Sequence, residues 1–353
     1  MSRVVVAMSG GVDSTVAAAL ITEAGHEAIG VTLKLLPGSP TGFGCCGSPE
    51  DISDARRVAE KLGIRHYVLD FDSVFEQDVV ERFINDYVNQ RTPNPCVECN
   101  RSVKFGALLK LAEAYDASHV ATGHYARLQE VDGRIRMLRA MDEGKDQTYF
   151  LHSLTQKELK RILFPLGDMR KPDVRAKARA LGLRTADKPE SQEICFVPGR
   201  DYRSFIRSRV GDSAFQPGDI QDTSGRVLGR HEGLPNYTIG QRKGLGLSGG
   251  APFYVTKLDG KTNTLVVGTA DDASSSRFRV GRLSETGPSL PKRSLVRIRH
   301  RGDLYPGSLA WVDGEVDVTL DVAANAVTPG QSAVFYDDAD VVLGGGTIEE
   351  VYT

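Results

Sequence analysis

The run Val4-Val5-Val6-Ala7-Met8-Ser9-Gly10-Gly11-Val12-Asp13-Ser14 sets the architecture of the chain. Residues 3–8 are a nearly unbroken apolar stretch rich in valine, the mark of a strand covered on both faces in a parallel sheet. A glycine turn follows, and Ser14 to Ala24 reads as a helix stopped by Gly25. The same alternation continues. Further strands are expected over about Ala28 to Leu35, Ile64 to Phe71 and His119 to Thr122. Ser48-Pro49-Glu50-Asp51 opens a helix that ends at Gly63, because it supplies a cap, a first-turn proline and a carboxylate three residues on. Val74 to Asn89 and about Arg101 to Tyr115 read as two more helices. The fold class is therefore α/β, an open and mostly parallel sheet whose ligands sit beyond the carboxyl ends of the strands.

Farther along, the texture changes. Asp132-Gly133 is a hairpin signal, and residues 155–182 read as helical and basic. From about residue 211, glycine, short strands and turns dominate, with further hairpin signals at Asp259-Gly260 and Asp313-Gly314. A length of 353 residues, at roughly 100–200 per domain, suggests two or three domains. The expected division is a catalytic α/β domain with a helical part over 1–204, a small central β domain over 205–275, and a β-barrel-like domain over 276–353. No internal repeat is evident.

The net charge of −2, from 44 basic and 46 acidic side chains, means that any nucleic-acid contact must come from local patches. Five cysteines, Cys45, Cys46, Cys96, Cys99 and Cys195, are too sparse and too odd in number for a secreted disulfide scaffold. The opening apolar run is too short for a signal peptide, and no stretch approaches the ~20 apolar residues that span a bilayer. A cytoplasmic protein with no membrane partner is expected.

Four motifs carry chemistry. In Ser9-Gly10-Gly11-Val12-Asp13-Ser14, backbone amides at a helix start form an anion nest, and Asp13 suits a magnesium ion escorting pyrophosphate. The Gly-Lys-Ser/Thr ending of a Walker loop and the Gly-x-Gly-x-x-Gly of a dinucleotide fold are both missing. In Thr92-Pro93-Asn94-Pro95-Cys96-Val97-Glu98-Cys99-Asn100 the prolines exclude helix before Cys96, and Cys99 lies just ahead of a helix starting near Arg101. That helix end, with Arg101 and Lys104, favours a thiolate at Cys99. Zinc would need two further ligands, and adjacent Cys45 and Cys46 make a poor second pair. Ser191-Gln192-Glu193-Ile194-Cys195-Phe196 offers a second thiol. In Val296-Arg297-Ile298-Arg299-His300-Arg301, period two places Arg297, Arg299 and Arg301 on one strand face suited to phosphates. Arg161, Arg170, Lys171, Arg175, Lys177 and Arg179 form a basic helical surface. Both basic features read equally well as solvated faces. His26 and His66 read as incidental.

Ser-Gly-Gly-Val-Asp-Ser resembles the pyrophosphate loop of the N-type ATP pyrophosphatases, which leave AMP on an activated carbonyl oxygen. Together with the two cysteine motifs, several other segments make almost the whole chain similar to the tRNA-specific 2-thiouridylase family. They are Gly123-His124-Tyr125-Ala126-Arg127, Lys145-Asp146-Gln147-Thr148-Tyr149, Thr238 to Gly244 and Pro329 to Tyr336. The resemblance implies ATP-dependent 2-thiolation of the tRNA wobble uridine, with AMP and pyrophosphate released. It implies ATP contacts at Ala7, Met8, Ser9, Gly10, Gly11, Val12, Asp13, Ser14, Leu33 and Gly123. It places a persulfide on Cys195 and makes Cys99 the partner that frees the sulfur, leaving a Cys99–Cys195 disulfide. Asn94, Pro95 and Cys96 would surround the target base, and His124, Lys145, Asp146, Gln147, Arg299, His300 and Gln331 would contact tRNA. A cysteine desulfurase or sulfur carrier would deliver the sulfur. Many relatives carry aspartate where this chain has Cys96, so an acid/base part played there by a carboxylate is open here. Cys96, Cys99 and Cys195 as three thiolates holding an iron–sulfur cluster are the alternative to persulfide chemistry.

Two other classes share the loop. An amidotransferase or ligase acting on a small metabolite would need no cysteine pair, and no glutaminase domain is evident. A non-catalytic RNA-binding protein would have no use for an intact Ser9 to Ser14 loop.

Overall fold

The computed structural model describes residues 2–35, 47–188, 194–247, 252–287 and 289–352. Cys45 and Cys46, and residues 189–193 just before Cys195, lie outside the described residues. The first sheet holds β1 (Arg3–Ala7), β2 (Glu27–Lys34), β3 (Arg65–Asp70), β4 (His119–Ala121) and β7 (Ile162–Leu163). All its pairings are parallel, in the order β3-β2-β1-β4-β7. Alternation explains why the valine run lies at its centre. Val4 and Val6 face a core shared with the helices Val12–Glu23, Pro49–Leu62 and Lys171–Ala180. Val5 faces the opposite core, shared with the helical runs 72–88 and 95–114. All three valines are fully buried, each removing from water a side chain worth about 1.5–3 kcal/mol. The strand order reverses between β1 and β4, so the crevice at the carboxyl ends of these two strands is where this architecture puts a ligand.

The expected helix at Ser48 forms as its capping chemistry dictates. The Ser48 hydroxyl accepts from Asp51 N–H, Pro49 occupies the first turn, and Gly63 ends the helix in the left-handed conformation. Two expectations need correction. Residues 155–182 are not continuously helical: a short helix Gln156–Leu159 leads into β7, which extends the parallel sheet, before the helix Lys171–Ala180 begins. The helix expected from Arg101 starts instead at Pro95 and runs to Ala114. Proline suits that first turn, where its missing N–H costs nothing, so the second proline opens the helix rather than excluding it.

The Asp132-Gly133 and Asp313-Gly314 hairpins form with positive φ at both residues, the geometry of a two-residue turn. At Asp259-Gly260 the connection is four residues long, and the Asp259 carboxylate organises it by accepting from the backbone of Lys261 and Thr262. The central sheet orders β10 (Tyr254–Asp259), β11 (Thr264–Gly268), β8 (Gly218–Asp222) and β9 (Val227–His231). Six strands between Ser274 and Tyr352 then close a barrel. The barrel is not a loose appendage, because Val334, Tyr336 and Val342 share a core with Phe105, Tyr149, Leu151 and Phe164 of the first domain.

Candidate active site

The anion loop follows β1, as the sequence requires. Gly11 precedes the helix Val12–Glu23. Ser9 N–H donates to Ser14 Oγ at 3.1 Å, and the Ser14 hydroxyl donates to Gly11 O at 3.1 Å. Gly10 has φ of +73°, and a Cβ there would lie 2.3 Å from Asp51 O. The position therefore demands glycine twice, for conformation and for space. Gly123, just past β4, approaches so closely that a Cβ would meet Ser14 N at 2.7 Å. The two ligand-expected segments on either side of the strand-order reversal are thus in contact. Leu33 is buried near the carboxyl end of β2.

Two lysines flank this loop. Lys171, 7% exposed, donates to both Asp13 carboxylate oxygens at 2.7 Å, and the Tyr125 hydroxyl donates to Asp13 Oδ1 at 2.7 Å. Lys188 donates to Gly10 O at 3.2 Å, Asp51 Oδ1 at 2.6 Å and Asp54 Oδ2 at 2.7 Å. Burial works against the Lys188 charge, but the hydrogen bonds to Asp51 and Asp54 outweigh it and its pKa is raised. The expected basic helical surface is therefore not a bare patch. Lys171 faces inward, Arg161 pairs with Glu113, Lys177 with Glu23 and Arg179 with Asp187, and Arg175 donates to the carbonyls of Ala186 and Lys188. Sequence reasoning missed Lys171, Lys188 and Tyr125 as parts of the loop. Their only signal was position, because nothing local separates an inward lysine from a solvated one.

The helical run 95–114 leads into β4 and so runs against the strands, which brings its amino end to the same carboxyl edge of the sheet. Cys96 and Cys99 are one turn apart in that end, and Cys99 opens a π-helical stretch, Cys99–Phe105. Such stretches recur at functional sites. Cys99 is buried, Cys195 half-buried and Cys96 open on its outer surface. Cys99 belongs to the apolar cluster of Phe83 and Phe196, and Cys195 packs against that cluster. Surrounding protein mass, then the neighbouring Cys195 thiol, raise the Cys96 pKa against a smaller opposing pull from Lys104, and its open outer face keeps that rise below what full burial would give. Cys96 is accordingly a neutral thiol near neutral pH. Because the helix begins at Pro95, Cys99 lies a turn inside it and gains less from the helix end than a residue just ahead of it would.

Among the described residues, no three His, Cys, Asp or Glu side chains converge as ligands for a metal ion. Cys96, Cys99 and Cys195 therefore are not arranged as the three thiolates of an iron–sulfur cluster. The Asp13 carboxylate accepts from Lys171 on both oxygens and from Tyr125 on one, a poor fit for a resident magnesium ion.

The remaining expected positions fall into two groups. His124 lies beside the loop, bonded through Nδ1 to Thr122 Oγ1 at 2.8 Å and flanked by Phe105 and Phe164. Burial, then Lys104, pushes its pKa down to about 3. Gln147 holds Tyr125 by accepting from its N–H at 2.9 Å, and Lys145 is half-buried in the turn before it. Asn94 reaches the Tyr149 hydroxyl, and Pro95 is buried. Gln331 donates its amide to Thr92 O at 3.1 Å and Pro93 O at 2.9 Å, so the barrel grips the segment just before Asn94. Asp146 is buried, accepting from Arg297 at 3.0 Å and from Thr148 and Ala140. The arginine row is a correction. The strand ends at Arg297, which turns inward to Asp146, while Arg299 and Arg301 lie exposed in the following turn. A buried carboxylate left without its guanidinium would be costly, and that outweighs the two-residue alternation. His300 stacks on Phe150 with ring centres 4.3 Å apart.

No described helix is long and apolar enough to cross a membrane. Three family profiles match in succession: a tRNA methyl transferase HUP domain over 2–199, a tRNA methyl transferase PRC-barrel domain over 203–269, and an aminomethyltransferase beta-barrel domain over 277–348. The chain is 46% identical to the tRNA-specific 2-thiouridylase of Halothermothrix orenii over 362 residues, covering 99% of both chains. It is 47% identical to that of Heliobacterium modesticaldum over 355 residues, covering 98% of this chain and 92% of that one. With a match of that length running through loop, cysteine helix and barrel alike, the chain belongs to the tRNA-specific 2-thiouridylase family.

Proposed function

We propose that the protein thiolates C2 of the wobble uridine of tRNA at the expense of ATP. The observation that carries this reading is a phosphate-type loop and the start of the cysteine helix at one carboxyl edge of a parallel sheet, with Cys195 near enough to Cys96 to act on its charge. The uridine O2 attacks the α-phosphorus of ATP. An O–P bond forms, the bond to the β-phosphate bridging oxygen breaks, and pyrophosphate leaves into the amides of Ser9 to Ser14. The base oxygen, a poor leaving group, has become AMP, a good one. A persulfide on Cys195, charged by a sulfur-donor protein, attacks C2 through its terminal sulfur and expels AMP. The Cys99 sulfur then attacks Cys195 Sγ. The S–S bond to the transferred sulfur breaks, that sulfur stays on C2, and a Cys99–Cys195 disulfide remains. A thiol reductant must restore it with two electrons. N3 of the uridine gives up its proton to solvent as O2 attacks, and Cys96, a neutral thiol beside the base, donates the proton that N3 regains when AMP leaves and is itself reprotonated from solvent. The residues expected to contact tRNA divide in this reading: His124, Lys145, Arg299 and His300 touch RNA, whereas Asp146, Gln147 and Gln331 hold the segments that do.

The test is a purified assay with tRNA, ATP and a persulfide donor, read by mass spectrometry of 2-thiouridine and by tRNA-stimulated AMP release. Full thiolation by both Cys99→Ser and Cys195→Ser would sink the persulfide route. Absence of tRNA-stimulated AMP release would sink adenylation.

A further inference from the structure

Asp13 is an awkward group for a phosphate site. It lies in the first turn after Gly11, among the amides an anion would use, and a carboxylate there repels the anion that the amides attract. Lys171 is built to cancel it. Its helix packs on the loop helix through the core of Val16, Val174 and Ala178. Its own N–H is fixed by Asp142 Oδ2 at 2.9 Å, and its ammonium lies over the Tyr125 ring, 5.6 Å from the centre. From there it meets both Asp13 oxygens at 2.7 Å, while Tyr125 holds one of them from another direction. A lysine this buried is stable only with such a partner.

We propose that Lys171 is a positioning residue of the pyrophosphate site: it neutralises Asp13 and so lets the Ser9–Ser14 loop accept the ATP phosphates. The proposal rests on the ATP reading above. Lys171 acts through Asp13, so the damage done by its loss is electrostatic and depends on Asp13 still being charged. Tyr125 fixes the carboxylate but carries no charge to offset it.

The experiment is calorimetric titration of the full-length protein with ATP in the absence of magnesium, and with adenosine as a probe lacking phosphate. Lys171→Met should weaken ATP binding on the order of a hundredfold while adenosine binding moves less than about threefold. Lys171→Arg, which keeps the charge, should stay within about tenfold of wild type. Adding Asp13→Asn to Lys171→Met removes the charge left uncompensated and should recover most of the lost affinity. The proposal is overturned if Lys171→Met binds ATP like wild type, if ATP and adenosine fall together, or if the double variant is as weak as the single one. A wild-type protein that binds adenosine but gains nothing from the phosphates overturns the ATP reading itself, which separates the two failures.

Discussion

The proposed phosphate end and the proposed sulfur end of this site are built differently. The phosphate end is closed in and saturated with hydrogen bonds. Its loop folds on its own serines, Gly10 fits against Asp51 with no room for a Cβ, and Lys171 and Lys188 are locked onto carboxylates. The sulfur end is assembled from distant parts. Its two cysteine segments are 96 positions apart in sequence, and the barrel grips the first of them through Gln331 and receives the Tyr149 hydroxyl at Ile298 O and Ser332 O. Binding a triphosphate calls for a preformed cradle of donors. Passing a sulfur atom between residues calls for thiols that meet and exchange. The two ends should therefore fail separately.

The sharpest way to break that comparison is at the thiols. Cys195→Ser and Cys99→Ser should each lower 2-thiouridine formation by more than about a thousandfold, as expected when members of one catalytic unit are removed. Affinity for ATP should stay at the wild-type value in both, measured by the same titration. Loss of ATP binding in either variant would show that the ends are one cooperative unit.

Next in size is the buttress. Arg297→Met removes the guanidinium hydrogen-bonded to buried Asp146 and leaves only Arg139, 3.8 Å away, as its cation, a change that costs about 1–3 kcal/mol of stability. Chemical denaturation should show it, and Asp146→Leu added to Arg297→Met should recover a large part. Thiolation should fall more than ATP affinity, because Asp146 ties the turn proposed to face tRNA to the barrel, and its hydrogen bonds run to Arg297, Ala140 and Thr148, not to the phosphate loop.

How much of this was legible follows from the same contrast. The parallel sheet, the loop and the Ser48 to Gly63 helix were readable because their causes are local: a valine run, two glycines, a capping serine. The barrel was readable as a class from its hairpin glycines. What could not be read is what depends on partners far along the chain. Alternation alone put Arg297 beside Arg299 and Arg301, and only the fold reveals Asp146, 151 positions away. Lys171 looked like its basic neighbours until the fold set Asp13 against it, 158 positions away. The early start of the cysteine helix was, by contrast, in the sequence. Pro95 was read as a breaker when its place in a first turn also makes it an opener.

A smaller effect tests how firmly the barrel is docked. His152 is buried with Nε2 near Ser332 Oγ, 3.2 Å away, and burial pushes its pKa down to about 4. Its folded form stays neutral at a pH where the unfolded chain takes up a proton. The stability this histidine supports is thus complete above about pH 6.5 and declines as the pH falls toward 4. At pH 5 the loss is about 2 kcal/mol. Denaturation at pH 7 and pH 5 should show a loss larger than that, because His124 is lowered further still, and His152→Gln should shrink the loss by about 2 kcal/mol. An equal slope in both proteins would place the acid sensitivity elsewhere.

The smallest expected effect is at Cys96, and it tells most about the chemistry. Its raised pKa leaves Cys96 mostly a neutral thiol at pH 8, a weaker nucleophile than a thiolate. A proton donor, in contrast, is replaceable by another hydroxyl-type donor. Cys96→Ser should therefore keep thiolation within about tenfold of wild type, the ordinary range for losing part of one general-acid contribution. Iodoacetamide at pH 8 should modify Cys96 slowly despite its open surface, and the rate should climb tenfold per pH unit up to about pH 10. Fast, pH-independent alkylation would mean a thiolate is already present, and Cys96 would then join Cys99 and Cys195 as a third nucleophile at the sulfur end.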